Sequence, residues 1–255
     1  MRGVAVSGPV ELCGHSPIAE RTRWMGHPAV WCVATIRKAA WLAMAALALP
    51  LWSAAQNTAT PVFQAEYTNP GLTPSHWTLT IHPDGSGHFR SERGNAPRGE
   101  QMTVDPPNVD RDVRVSSEFA DRVFQTARQH RLFGENCEGH LKVAFQGTKK
   151  LSYDGADGQG SCAFNFAKDK DVQALADSLV AVAGTIVEGG RLEVLLQHDP
   201  LGLDRETEYL VEAAGDGRAE QIGAIRAILE RLADDENVME RVRRRVRVLL
   251  AMAEK

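Results

Sequence analysis

The sequence predicts an α+β fold: an antiparallel sheet with one helix inserted and one helix following, then a C-terminal helical bundle. Three observations carry this. Between residues 62 and 166 apolar side chains recur mainly at every second position, the period of a strand. Inside that region one stretch, from Ser116 to Leu132, switches to helical spacing. From Asp169 onward the spacing is helical throughout, with no strand signal.

The first segment reads as targeting sequence. Residues 39–52 hold no polar side chain, but a bilayer-spanning helix needs roughly twenty such residues. Arg37 and Lys38 precede the run and Ser53-Ala54-Ala55 follow it, the order of a secretory signal peptide. Cleavage is expected after Ala55, which makes Gln56 the new N-terminus. Residues 1–24 do not match a leader, and Met25 is the expected true start. The mature chain is therefore expected to be exported, periplasmic or extracellular, with no transmembrane span.

The first strand is expected at Val62–Tyr67, with Phe63, Ala65 and Tyr67 on one face, ended by the turn Asn69-Pro70-Gly71. Trp77, Leu79 and Ile81 alternate with Thr78 and Thr80 in the clearest strand. Pro83-Asp84-Gly85-Ser86-Gly87 reads as a hairpin loop and His88–Ser91 as the returning strand. Residues 94–112, rich in proline, read as a long surface loop, and 113–115 as a short strand. Ser116 or Ser117 caps the inserted helix. Leu141–Phe145, Leu151–Tyr153 and Cys162–Phe166 read as three further strands.

The following helix carries Val172, Leu175, Leu179, Val182 and Ile186 on one stripe, and Gly189-Gly190 is expected to stop it. That ends an α+β domain spanning 56–189. A C-terminal region, 190–255, packs on it through short helices marked by Leu192, Leu195 and Leu196, by Tyr209, Leu210 and Ala213, by Ile222, Ile225, Leu229 and Leu232, and by Val238, Val242, Val246 and Leu249. Asp204 is expected to cap one of these helices.

Composition narrows the function. The whole chain has 29 basic and 33 acidic residues. Residues 1–55 hold five of the first and two of the second, so the rest carries 24 against 31, a net charge of −7. Such a body is a poor binder of nucleic acid, which needs net attraction to phosphate. Of the four cysteines, Cys13 and Cys32 leave with the leader. Cys137 and Cys162 remain, an even pair in an oxidising compartment, and are expected to form one disulfide.

Candidate chemistry is sparse. His82 and His88 flank the hairpin loop, and facing imidazoles can bind zinc, but no third ligand is near in sequence. Asp154-Gly155-Ala156-Asp157-Gly158 lacks the third-position ligand of a calcium loop and reads as a turn. Gly85-Ser86-Gly87 lacks the glycine two residues before the serine that a nucleophile elbow needs. The arginines at 241, 243, 244, 245 and 247 read as a solvated helix face. No cofactor motif and no catalytic residue is assigned. The expected function is non-enzymatic binding of an unidentified protein or small molecule. The rival is a hydrolase assembled from distant residues near the 82–88 hairpin: His82, Asp84 and His88.

Overall fold

The computed structural model describes residues 60–95, 104–140 and 142–254. The leader, its expected cleavage site and the alternative start lie outside the described residues. Six strands form one antiparallel sheet: β1 (Val62–Thr68), β2 (His76–Ile81), β3 (Ser86–Glu92), β4 (Val109–Arg114), β5 (Thr148–Gly155) and β6 (Gly158–Phe164). Their order across the sheet is β4-β3-β2-β1-β5-β6. Helix α1 (Ser117–Gln129) is inserted between β4 and β5. Helix α2 (Lys170–His198) follows the sheet, and α3 (Leu203–Gly215), α4 (Arg226–Asp234) and α5 (Glu240–Met252) come after it among the described residues. The fold is α+β with C-terminal helices, as the periodicity implies.

Alternation decides which face of the sheet is covered. Phe63, Ala65 and Tyr67 of β1, Trp77, Leu79 and Ile81 of β2, Phe89 of β3, and Leu151 and Tyr153 of β5 are all buried. They join one core with Phe119, Val123 and Phe124 of α1 and with the α2 stripe Val172, Leu175, Leu179, Val182 and Ile186. The opposite face keeps Gln64, His88, Arg90 and Lys150 in solvent. Ser116 caps α1, its hydroxyl accepting from the Phe119 amide.

Cys137 and Cys162 are bridged, with Cα atoms 5.7 Å apart. The bridge ties the segment after α1 to the edge strand β6. Replacing both cysteines with serine is expected to lower stability by about 3.5 kcal/mol, because the unfolded chain loses a closed loop. A urea midpoint that shifts down without a change of slope would report this, and an unshifted midpoint would refute it.

Four local expectations need correction. Helix α2 does not stop at Gly189-Gly190 but runs through both. These glycines serve close packing rather than termination. A Cβ on Gly189 would sit 2.4 Å from Ile225 Cγ2, and one on Gly190 would sit 3.0 Å from Val109 Cγ2. Residues 142–147 form no strand. Side chains take some of their backbone groups instead: Asn165 accepts from the Gln146 amide at 2.7 Å and donates to the Ala144 carbonyl at 3.1 Å, and the Tyr67 hydroxyl donates to the Gln146 carbonyl at 2.6 Å. The fourth strand begins at Val109, inside the expected loop. Its inward residues are Val109, Arg111 and Val113, and the interposed charges hide the apolar period. Asp204 is not a cap. The N-cap of α3 is Gly202, and Asp204 lies in the first turn, accepting from Arg241 Nε at 2.7 Å and Arg245 Nη1 at 2.6 Å.

A second apolar cluster holds Leu192 and Leu195 of α2 with Leu203 and Leu210 of α3, Leu229 and Leu232 of α4, and Val242, Val246 and Leu249 of α5. Helix α2 therefore contributes to both cores. Arg111 of β4 reaches its C-terminal third, donating to both Glu193 carboxylate oxygens at 3.0 and 2.6 Å.

Candidate functional site

The hairpin residues singled out from the sequence lie together but engage other groups. Register places His88 opposite Thr80, so His82 and His88 are offset rather than paired. His88 instead sits between two carboxylates of the neighbouring strand, with Nδ1 2.9 Å from Asp112 and Nε2 3.0 Å from Asp110. The hydrogen bond to Asp112, helped by the charge of Asp110, raises its pKa above the ordinary histidine value. An imidazole with both nitrogens on carboxylates has no free lone pair to serve as a base. The Ser86 hydroxyl donates to Asp84 at 2.6 Å, and that bond holds the Asp84 carboxyl below its usual range. The three residues of the hydrolase reading thus form local turn and strand contacts, not a nucleophile–base pair.

Metal donors converge elsewhere. Among the described residues, His130, Asp169 and Asp171 are the group of three whose ligand atoms lie within 4.8 Å of one another. Neither His82 nor His88 belongs to it. Asp169 Oδ1 already caps α2, accepting from the Asp171 and Val172 amides at 2.9 and 3.2 Å.

A more constructed site lies where β1 and β2 meet α2 and α3. A cavity of about 550 Å³ opens there. Tyr67 and Trp77, stacked at 5.6 Å between ring centroids, form part of its wall. Their positions follow from the sheet: both are inward residues, directly paired across β1 and β2. Leu72, Thr73 and Pro74, from the loop joining these strands, and Tyr209 of α3 add to the lining. Leu72 and Tyr209 are half exposed at the rim, and the exposed Arg205 and Arg218 also line the cavity. Gly184 of α2 faces open space, since a Cβ added there would meet nothing within 4 Å.

Three ionisable groups line the same cavity and are almost fully buried: Glu188 at 5 %, Arg191 at 7 % and Glu206 at 4 % exposure. Glu188 and Arg191 stand three residues apart on α2, and Glu206 comes from α3. Arg191 Nη1 donates to Glu188 Oε2 at 2.8 Å and to Glu206 Oε2 at 3.3 Å. Glu188 Oε1 is buried and receives no donor, and Thr73 Oγ1 is likewise buried without a hydrogen bond. Burial pushes the Glu188 carboxyl up to about 8, against the pull of Arg191, and the neighbouring Glu206 raises it further. At neutral pH Glu188 therefore keeps its proton, which a close second carboxylate stabilises.

The sequence held a signal for this site that periodicity does not weigh. Val180 to Leu196 is mostly apolar, and three charges interrupt it: Glu188 and Arg191 at i, i+3, and Glu193, which pairs with Arg111. Charges inside an apolar helix are buried only when paired. Glu206 and Thr73 carried no comparable signal, because neither stands inside an apolar run. No protein-family model and no curated protein matches the chain.

Proposed function

We propose that this chain is an exported binding protein that holds a small amphiphilic molecule in the cavity between the 72–74 loop, α2 and α3. The observation that carries the reading is an aromatic-walled cavity lined by the buried Glu188, Arg191 and Glu206 side chains and by Thr73, whose Oγ1 is buried without a hydrogen bond. Ligand sites combine an apolar lining with a few convergent polar groups, and a perturbed pKa inside a cleft is a further marker. Orphaned buried polar atoms need a reason, and a bound molecule supplies one. Export is supported by the leader pattern and by the Cys137–Cys162 bridge, which belongs to oxidising compartments. Among the described residues no helix is long and apolar enough to cross a membrane.

The test is titration with 2-phenylethanol, which matches the aromatic wall and offers one hydroxyl. Saturable chemical-shift changes at the Thr73 and Gly184 amides are expected. Gly184→Trp points bulk into the open space at that position and is expected to abolish them while the protein stays folded. Weak changes scattered over the surface, unaffected by Gly184→Trp, would show that the cavity is not a ligand site.

A further inference from the structure

We infer that the ligand is a monoanion, a carboxylate on an aryl or alkyl body, held with its charge at the arginine-lined mouth of the cavity and its body against the aromatic wall. The inference rests on the cavity being a ligand site, as proposed above, and names the chemistry of what fills it.

Three arginines line the cavity, one at the inner end and two at the mouth. At the inner end the charges cancel. Glu188 keeps its proton at neutral pH and is hydrogen-bonded to Glu206, and Arg191 donates to both acids. One guanidinium and one carboxylate remain charged, and their sum is zero. An ion pushed to this depth would be buried without a counter-charge. Arg191 also brings a buried Nε–H that meets no acceptor, which suits this wall still less to a cation.

The mouth has a surplus. Arg205 of α3 and Arg218, beyond α3, are both exposed there. Arg218 spends its Nε on Asp216, at 3.0 and 2.8 Å, and its guanidinium lies over the Tyr209 ring, 5.3 Å from the centroid. Tyr209 lines the cavity too, so this contact keeps the guanidinium at the edge. Asp216 and Glu212 offset the charge of Arg218 without lining the cavity. Arg205 pairs with no acidic side chain among the described residues. Its charge is left over, and one surplus positive charge matches a monoanion.

Hydrogen-bonding capacity points the same way. The uncommitted side-chain groups are mainly donors: the Arg205 guanidinium, the Nη atoms of Arg218 and the Thr73 hydroxyl. Glu188 Oε1 stands against them as an acceptor. A carboxylate brings two acceptor oxygens and no donor, in the geometry that a guanidinium fork matches. An ammonium brings only donors, and sets a further positive charge beside Arg205 and Arg218. With its charge at the mouth, the ligand places its apolar body against Tyr67, Trp77 and Leu72.

Calorimetric titration of the full chain at about pH 7 with phenylacetate, 2-phenylethanol and 2-phenylethylamine separates the possibilities. Phenylacetate is expected to bind about five-fold more tightly than the alcohol, the size of one exposed ion pair, and the amine is expected to bind most weakly. The double variant Arg205→Gln with Arg218→Gln changes two exposed side chains and is expected to bind phenylacetate and the alcohol equally. An acid that binds no more tightly than the alcohol, an amine that binds best, or an acid preference that survives in the double variant would each overturn the inference and leave the cavity standing as a site. A double variant that loses both probes would overturn it as well, since the arginines would then shape the site rather than read charge. If none of the three probes binds the native chain, the cavity reading falls too.

Discussion

Replacing Arg191 with methionine is expected to destabilise the protein by about 3–5 kcal/mol, the range for removing one partner of a buried ion pair. The residue is only 7 % exposed, and its guanidinium serves Glu188 and Glu206 together. Methionine fills a similar volume, so the loss comes from the two abandoned acid groups rather than from a void. A second substitution tests that account. Adding Glu188→Gln to Arg191→Met removes one of the two abandoned acids, and the double variant is expected to be less destabilised than the sum of the two single changes. Urea unfolding of the four proteins decides it. Additive losses would mean that the three groups do not act as a unit.

Stability should also fall as the solution becomes more alkaline. The Glu188 carboxyl ionises near 4.5 in the unfolded chain but near 8 in the folded one. Between those values the folded state holds a proton that the unfolded state has released, so raising the pH favours unfolding. The contribution is intact below the lower value and is lost progressively up to the higher one, in total on the order of 4–5 kcal/mol. The urea midpoint of the native chain should drop accordingly from about pH 5 to about pH 8.5. Glu188→Gln should flatten much of that slope. If the variant follows the native chain at every pH, Glu188 is not the group that titrates.

The two expectations concern residues that periodicity overlooks, while the parts periodicity reads well are structural. Trp77, Leu79 and Ile81 alternate with threonines because one face of the sheet meets α1 and α2 and the other meets water, so their burial was legible. The disulfide was legible from the even cysteine number beyond residue 55 together with the expectation of export. The misread places share another character: a tertiary contact overrides the local pattern. Gly189 and Gly190 have the composition of a helix stop, yet the absence of Cβ atoms is used by Ile225 and Val109, residues distant in sequence. Leu141–Phe145 has a strand's alternation, but Val143 and Phe145 lie exposed at 37 % and 62 %, and backbone groups of Ala144 and Gln146 bond to the side chains of Asn165 and Tyr67. The candidate site combines β1, β2, α2 and α3, and only the buried charges on α2 left a trace in the sequence.

The length of α2 bears on how this protein can be divided. Its 29 residues extend for about 43 Å, and the helix enters one apolar cluster near its start and the other near its end. A cut after Gly190 leaves a helix without Arg191, without the Glu193 that holds Arg111, and without Leu192 and Leu195. A cut after His198 keeps those residues but exposes both leucines and strips Glu206 away from the buried charges. Neither half can be expressed alone, or exchanged by recombination for a foreign counterpart, without rebuilding the seam along this one helix. A variant library for this protein is therefore better built by point substitution around the cavity than by fragment swapping.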